Sequence, residues 1–202
     1  MRFFKRQILF LLPVCTALCT PLLAGVDVIH MNLDEMSQRA DKIFRGTVLD
    51  ITEGTVTAGG GEIPMVTYRL RVDEPFKGDF VTVKDDLQIV DIQMVGRLKK
   101  APPTDDGVQA FPVLPELPRL KVRKEYLLLT TTPSATGLST TVGLGQGCFK
   151  VFSRNKEELA VNEFDNTGLF KDMDVTGFPS QGPVSYVQLA ELIQDLLAGD
   201  GE

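Results

Sequence analysis

A mostly β domain, with a short helix near its start and a longer one at its end, is predicted by three features of this chain. Val66, Tyr68, Leu70 and Val72 alternate with Thr67, Arg69, Arg71 and Asp73. A period of two sends one set into a core and the other into water, which is how a half-buried strand reads. Turn-forming runs recur between short apolar segments: Gly59-Gly60-Gly61, Lys77-Gly78-Asp79 and Asp165-Asn166-Thr167-Gly168. Such runs connect hairpins. Helical spacing is confined to two places, after Asn32 and after Ser185. The architecture expected is a curled antiparallel sheet carrying two helices.

Ahead of that domain the chain opens with Arg2, Lys5 and Arg6 and no acid. An apolar run from Ile8 to Val14 follows, then a break at Cys15-Thr16, then a second apolar stretch to Ala24. A basic start, a short apolar middle and a small-residue end form a secretory signal peptide. A membrane-spanning helix needs about 20 mostly apolar residues, and Pro13 and Pro21 interrupt this shorter run. Cleavage is expected after Ala24 or Gly25. Residues 1–24 are then the signal and 25–202 a single domain exported to the periplasm or the medium, touching the membrane only through its signal. A lipid-modified Cys19 is the alternative, disfavoured by the bulky Leu18 before it.

The elements follow in order. Residues 26–31 are apolar and read as a first strand. Asn32 with Glu35 three positions on makes a capping box, and Leu33, Met36 and Ala40 share one helix face. From Lys42 the chain is extended, and its apolar face switches between Val48 and Leu49, which predicts a bulge. Pro75 is expected to end the alternating strand. Phe80 to Val83 and Leu87 to Ile92 read as further strands. Tyr126–Thr130 is expected to pair with Leu138–Leu144, and Leu159–Phe164 with Leu169-Phe170 across Asp165-Asn166-Thr167-Gly168. The last helix is expected over 184–198, capped by Ser185, striped by Leu189, Leu192, Ile193 and Leu196, and closed by Gly199.

Charge and cysteine content narrow the function. The net charge is −6. Removing residues 1–24, with three bases and no acid, leaves 178 residues holding 18 bases against 27 acids, a net charge of −9. That balance opposes nucleic-acid binding, where phosphate neutralisation drives affinity, and opposes docking on anionic lipid. Cys148 is then the one cysteine, so no internal disulfide can form. It reads as a small buried hydrophobe or as a free thiol able to pair between chains.

Residues 97–120 carry Pro102, Pro103, Pro112, Pro115 and Pro118 and can form neither helix nor central strand. A loop of this length is a binding loop or an irregular segment. Phe111, Val113, Leu114 and Leu117 within it either pack back on the sheet or meet a partner as an extended segment. No cofactor is implied: Gly143-x-Gly145-x-Gly147 lies between extended runs and lacks the strand–helix setting of a phosphate loop. Asp172-x-Asp174-x-Thr176-Gly177 begins like a calcium loop, but Pro183 stands where a bidentate Glu is required. Asp165 reads as a turn residue. His30, the one histidine, could serve Cys148 only through the fold, and one His with one Cys cannot make a zinc site. Arg119, Lys121, Arg123 and Lys124 form a basic cluster, read as a solvated edge or as a docking patch for an acidic partner.

Several segments carry a family resemblance. Ala40-Asp41-Lys42-Ile43-Phe44-Arg45-Gly46-Thr47-Val48, Tyr68-Arg69-Leu70-Arg71-Val72 leading into Phe76-Lys77-Gly78, Glu125-Tyr126-Leu127-Leu128-Leu129 and Gly145-Gln146-Gly147-Cys148-Phe149 occur in that order. Over about residues 26–155 they resemble exported bacterial proteins similar in plan to the netrin-module and tissue-inhibitor-of-metalloproteinases superfamily. The resemblance implies a small OB-like antiparallel β-barrel. It does not carry over metalloproteinase inhibition, because the domain has no cysteine near its start to meet a zinc ion. The function expected is that of a non-catalytic exported module binding a protein partner in the envelope or medium. A cell-envelope hydrolase using acids such as Asp85, Asp86, Asp105 or Asp106 is one alternative. A protein inhibitor acting through the 97–120 loop is another.

Overall fold

The helix expected after Asn32 forms as α1 (Leu33–Arg39) in a computed structural model, which describes residues 29–98 and 117–199. Asn32 Oδ1 accepts from the Glu35 amide at 2.9 Å, and the Glu35 carboxylate accepts from the Asn32 amide at 3.3 Å. Two otherwise orphan donors of the first turn are thereby satisfied. The signal segment and Phe111, Val113 and Leu114 lie outside the described residues.

Two long strands follow, β1 (Lys42–Ala58) and β2 (Gly61–Lys77). Gly59 and Gly60 join them in left-handed conformation, φ 61° and 80°, as a two-residue turn matched to strand twist demands. Leu49 is skipped in the β1–β2 register between Val48 and Asp50, which is the bulge read from the face switch. Val66, Tyr68, Leu70 and Val72 are buried, as their alternation requires. Pro75 does not end β2: it pairs with Phe44 and the strand runs on to Lys77. On its other side β2 pairs with Gln88–Val95 only as far as Arg71, so Pro75 has a neighbour on one side only, where a strand tolerates the missing donor.

Six shorter strands complete one antiparallel sheet: β3 (Val81–Thr82), β4 (Gln88–Val95), β5 (Glu125–Thr130), β6 (Cys148–Arg154), β7 (Glu157–Val161) and β8 (Val184–Ser185). Their order is β3-β4-β2-β1-β5-β6-β7-β8. The sheet is open, because β3 and β8 end it without pairing to each other. Both are two residues long, which leaves little free edge. β8 passes directly into α2 (Tyr186–Gly199).

The sheet separates two cores. On one face Leu33 and Met36 of α1 and Leu189 and Ile193 of α2 pack on Ile43, Leu127, Leu129 and Phe149. On the other, Phe44, Val66, Tyr68, Leu70, Ile92 and Met94 meet Tyr126, Leu128, Cys148 and Leu120. β5 is therefore buried on both faces, which accounts for its unbroken Leu127-Leu128-Leu129 run. Each fully buried Leu of this kind contributes about 1.5–3 kcal/mol by leaving water. Joining β2 and β4 side chains to those of β6 across β1 and β5 curls the sheet around the second core.

Three further sequence expectations change. The first strand does not form in its described part, because the Met31 amide instead donates to Gln146 Oε1 at 2.9 Å. Leu138–Leu144 meets β5 only at a Thr130–Thr141 bridge. Its backbone groups are divided: Val142 N donates to Leu129 O at 2.8 Å, whereas Ser139 N donates to Gln93 O of β4 at 2.7 Å. Leu169-Phe170 makes no strand. Residues 162–173 form successive turns, with Asp165, Asn166 and Asp172 in left-handed conformation. Buried amides replace the ladder there. Asn162 Oδ1 accepts from the amides of Phe164 and Asn166, and Asn166 Nδ2 donates to Ala160 O and Gly182 O.

A polar knot ties the helix face together. Arg45 on β1 pairs with Glu125 on β5 and Glu158 on β7, and its guanidinium lies 4.5 Å from the Tyr186 ring centroid. Tyr186 Oη donates to Glu74 of β2 at 2.5 Å. Arg45 holds the Glu158 carboxyl below the ordinary glutamate range through their hydrogen bond. Burial first, then the bond to Glu74, pushes the Tyr186 phenol well above its usual range.

Candidate functional site

The register of β5, β6 and β7 builds a cleft on the second-core face. Tyr126 pairs with Lys150, and Lys150 pairs with Val161. Directly opposed residues on neighbouring strands share a face, so Tyr126, Lys150 and Val161 form a row across the cleft floor. Cys148 lies two residues before Lys150 on the same side. Arg119, Lys121 and Lys124, from the segment entering β5, form one wall, and Asn162 and Glu163, leaving β7, form the other. The space enclosed is about 340 Å³.

Its lining is cationic on an acidic chain. Four basic residues face one acid, Glu163. No ion pair engages Arg119, Lys121, Lys124 or Lys150 among the described residues. The Lys150 ammonium lies at the rim, 5.8 Å from the Phe152 ring centroid. Tyr126 Oη accepts from the Lys121 amide at 3.1 Å, which leaves its own hydrogen free to donate. Burial raises the Tyr126 phenol above its ordinary range, so it stays a neutral donor.

Glu163 is placed by glycine. A Cβ on Gly145 would stand 2.8 Å from Glu163 Oε2 and 3.2 Å from the Phe164 ring. Although Glu163 remains reachable by water, contact with this surface lifts its carboxyl above the ordinary glutamate range, and Arg119 opposes the lift. The Gly143–Gly147 run is thus a close-packed turn. Gly143 is left-handed at φ 61°, and a Cβ on Gly147 would meet Val142 O at 2.6 Å. Gln146 points inward and holds Ile29 O and Gly143 O through its side-chain amide.

The residues singled out from sequence fall in different places. Arg119, Lys121 and Lys124 converge on the cleft. Arg123 does not line it; in left-handed conformation, φ 62°, its amide donates to Val48 O. Cys148 is free and buried, and burial drives its thiol far above the usual range, which keeps it protonated. His30 packs edge-on against Phe164 at 5.9 Å, and no hydrogen bond joins it to Cys148 among the described residues. Leu117 is half-buried beside Val66, Tyr68 and Met94, on the sheet. Asp85 and Asp86 form an exposed single turn before β4. Asp172 and Asp174 border a recess by α1 and α2, and no three metal-ligating side chains converge among the described residues.

Lys150 and Glu163 were not legible as site residues. Lys150 sits alone between apolar neighbours in sequence, and only the strand register brings it to the basic cluster. No protein-family model matches the chain, and no curated protein matches its sequence. What the cleft can do follows from its chemistry: it attracts anions, donates hydrogen bonds to them, and offers an aromatic floor.

Proposed function

We propose that this protein is an exported, non-catalytic binding module that takes an acidic ligand or partner in the Arg119–Lys150 cleft. The observation that carries the reading is the cleft itself, with four bases gathered on a chain of net charge −6. Oppositely charged surfaces steer association and select partners. The OB-like plan is part of the proposal: the curl around the second core and the Ser139–Gln93 bond from the loop after β5 to β4 support a nearly closed barrel.

The test is an in-cell crosslinking pull-down of the tagged chain, comparing wild type with a Lys121→Glu, Lys124→Glu double variant. Loss of a specific partner or ligand in the variant supports the reading. Unchanged recovery removes the cleft as the binding surface. Mass spectrometry of the chain recovered from the envelope or medium checks export, with a start at Gly25 or Val26 expected.

A further inference from the structure

We infer that the ligand of this cleft is a small polyanion with two or more carboxylate or phosphate groups on a short body, and that Glu163, the one acid of the lining, opposes its binding while ionised. The inference rests on the binding reading above and names its ligand class.

Size and strand pairing favour a small ligand over an acidic protein segment. At about 340 Å³ the cleft has the size of a small-molecule site. An extended peptide binds best by adding its backbone to a free sheet edge. β5 and β6 have none to offer along the cleft floor, since β5 pairs with β1 and β6, and β6 with β5 and β7; β8 covers β7 at Leu159 and Ala160, leaving Val161 as the one open floor residue, too short an edge to seat a strand. Recognition must come from side chains, and those present are Arg119, Lys121, Lys124 and Lys150, with Tyr126 as a neutral donor. More than one anionic group is needed to satisfy bases arriving from two sides, the entry segment of β5 and the middle of β6.

Glu163 is the resident anion. Its carboxylate lies against Gly145 beyond the end of β7, in a cleft lined also by Arg119, Lys121 and Lys124 of the entry segment, Tyr126 of β5, and Cys148 and Lys150 of β6. Tyr126 and Cys148 are neutral, so its electrostatic partners are the four bases. While ionised, Glu163 repels an incoming anion. Protonation removes that repulsion, and desolvation raises the Glu163 carboxyl above the ordinary glutamate range, which eases the step. Anion affinity should therefore rise as pH falls, with net proton uptake accompanying the ligand.

The experiment is calorimetry on the whole protein with meta-benzenedisulfonate, whose two charges do not titrate, and with citrate and hexaglutamate as comparison probes. Wild type should bind the disulfonate one-to-one, about threefold or more tightly at about pH 5.5 than at about pH 7.5. Glu163→Gln should bind at least as tightly as wild type at its best and lose the pH dependence. Lys124→Glu with Lys150→Glu should weaken binding by about tenfold or more; thermal melts confirm that each variant folds. A Glu163→Gln protein with wild-type affinity and pH profile overturns the role given to Glu163. Hexaglutamate binding without either small probe overturns the ligand class while leaving the binding module standing. If no acidic probe binds and the Lys121→Glu, Lys124→Glu variant also leaves the pull-down unchanged, both readings fall.

Discussion

Replacing Asn166 by Ala tests whether the turns after β7 are an internal support or a surface connection. The side chain is fully buried. Its Oδ1 accepts from the Asn162 amide at 2.9 Å, and its Nδ2 donates to Ala160 O at 3.1 Å and Gly182 O at 2.8 Å. Alanine removes all three bonds, at about 1 kcal/mol each. Asn166 also holds φ at 56°, where alanine costs about 1 kcal/mol more than Asn or Gly. The expected loss is about 4 kcal/mol, a large part of the roughly 5–15 kcal/mol that stabilises a domain. With a urea slope of about 2 kcal/mol per molar, the midpoint should fall by about 2 M. Asn166→Gly should recover about 1 kcal/mol of that loss by relieving the backbone alone. A midpoint shift below about 0.5 M at unchanged slope would refute the argument, since water would then be satisfying the same three backbone groups.

Other outcomes follow from the same structure. Arg45→Met leaves Glu125 and Glu158 without their cation; both carboxylates are partly exposed and can rehydrate, so the cost should be about 1–2 kcal/mol. Because Arg45 depresses the Glu158 carboxyl, wild type holds this contribution above the unfolded glutamate range and loses it as pH falls through the lower, folded value. Melting temperatures of wild type and Arg45→Met should therefore converge on acidification, and parallel curves would contradict this account. Gly147→Ala sets a Cβ against Val142 O at 2.6 Å and Leu129 O at 3.0 Å, backbone atoms that cannot step aside. It should lower stability by about 2 kcal/mol or more, read by thermal melting, and an unchanged melt counts against the close approach. Cys148 borders the cleft but is mostly buried and held protonated, so it should react with a thiol reagent far more slowly than an exposed thiol. Labelling of the native protein within seconds would show an open route to the sulfur.

Much of the sheet was legible because one-sided burial writes itself into alternation, as at Val66–Asp73, and because turn chemistry and capping are local. Asn32 with Glu35, the glycine hairpin and the Leu49 bulge are of this kind. The misread segments are those whose backbone partners are distant or not backbone at all. Leu138–Leu144 looks like a strand, yet Ser139 bonds to β4 and Val142 to β5. Asp165-Asn166-Thr167-Gly168 looks like an exposed connection, yet Asn166 is an interior hydrogen-bonding hub. Half of the cleft was legible as the run Arg119 to Lys124. The other half depends on register, since Lys150 joins that run only because it pairs with Tyr126.

The two-sided burial of β5 also orders events in time. The β1–β2 hairpin closes through neighbouring residues, Ala58 against Gly61, and hairpins of this kind form within about 1–10 μs. The β1–β5 pairing joins residues 80 positions apart, as between Arg45 and Glu125, and distant loop closure lags behind local pairing. Until β5 docks, the Lys42–Thr47 edge of β1 stays open with Ile43 and Phe44 uncovered, and neither core can close. An open apolar edge is a template for another chain. Refolding yield should therefore fall as protein concentration rises, and a covalent link holding β5 beside β1 should restore it.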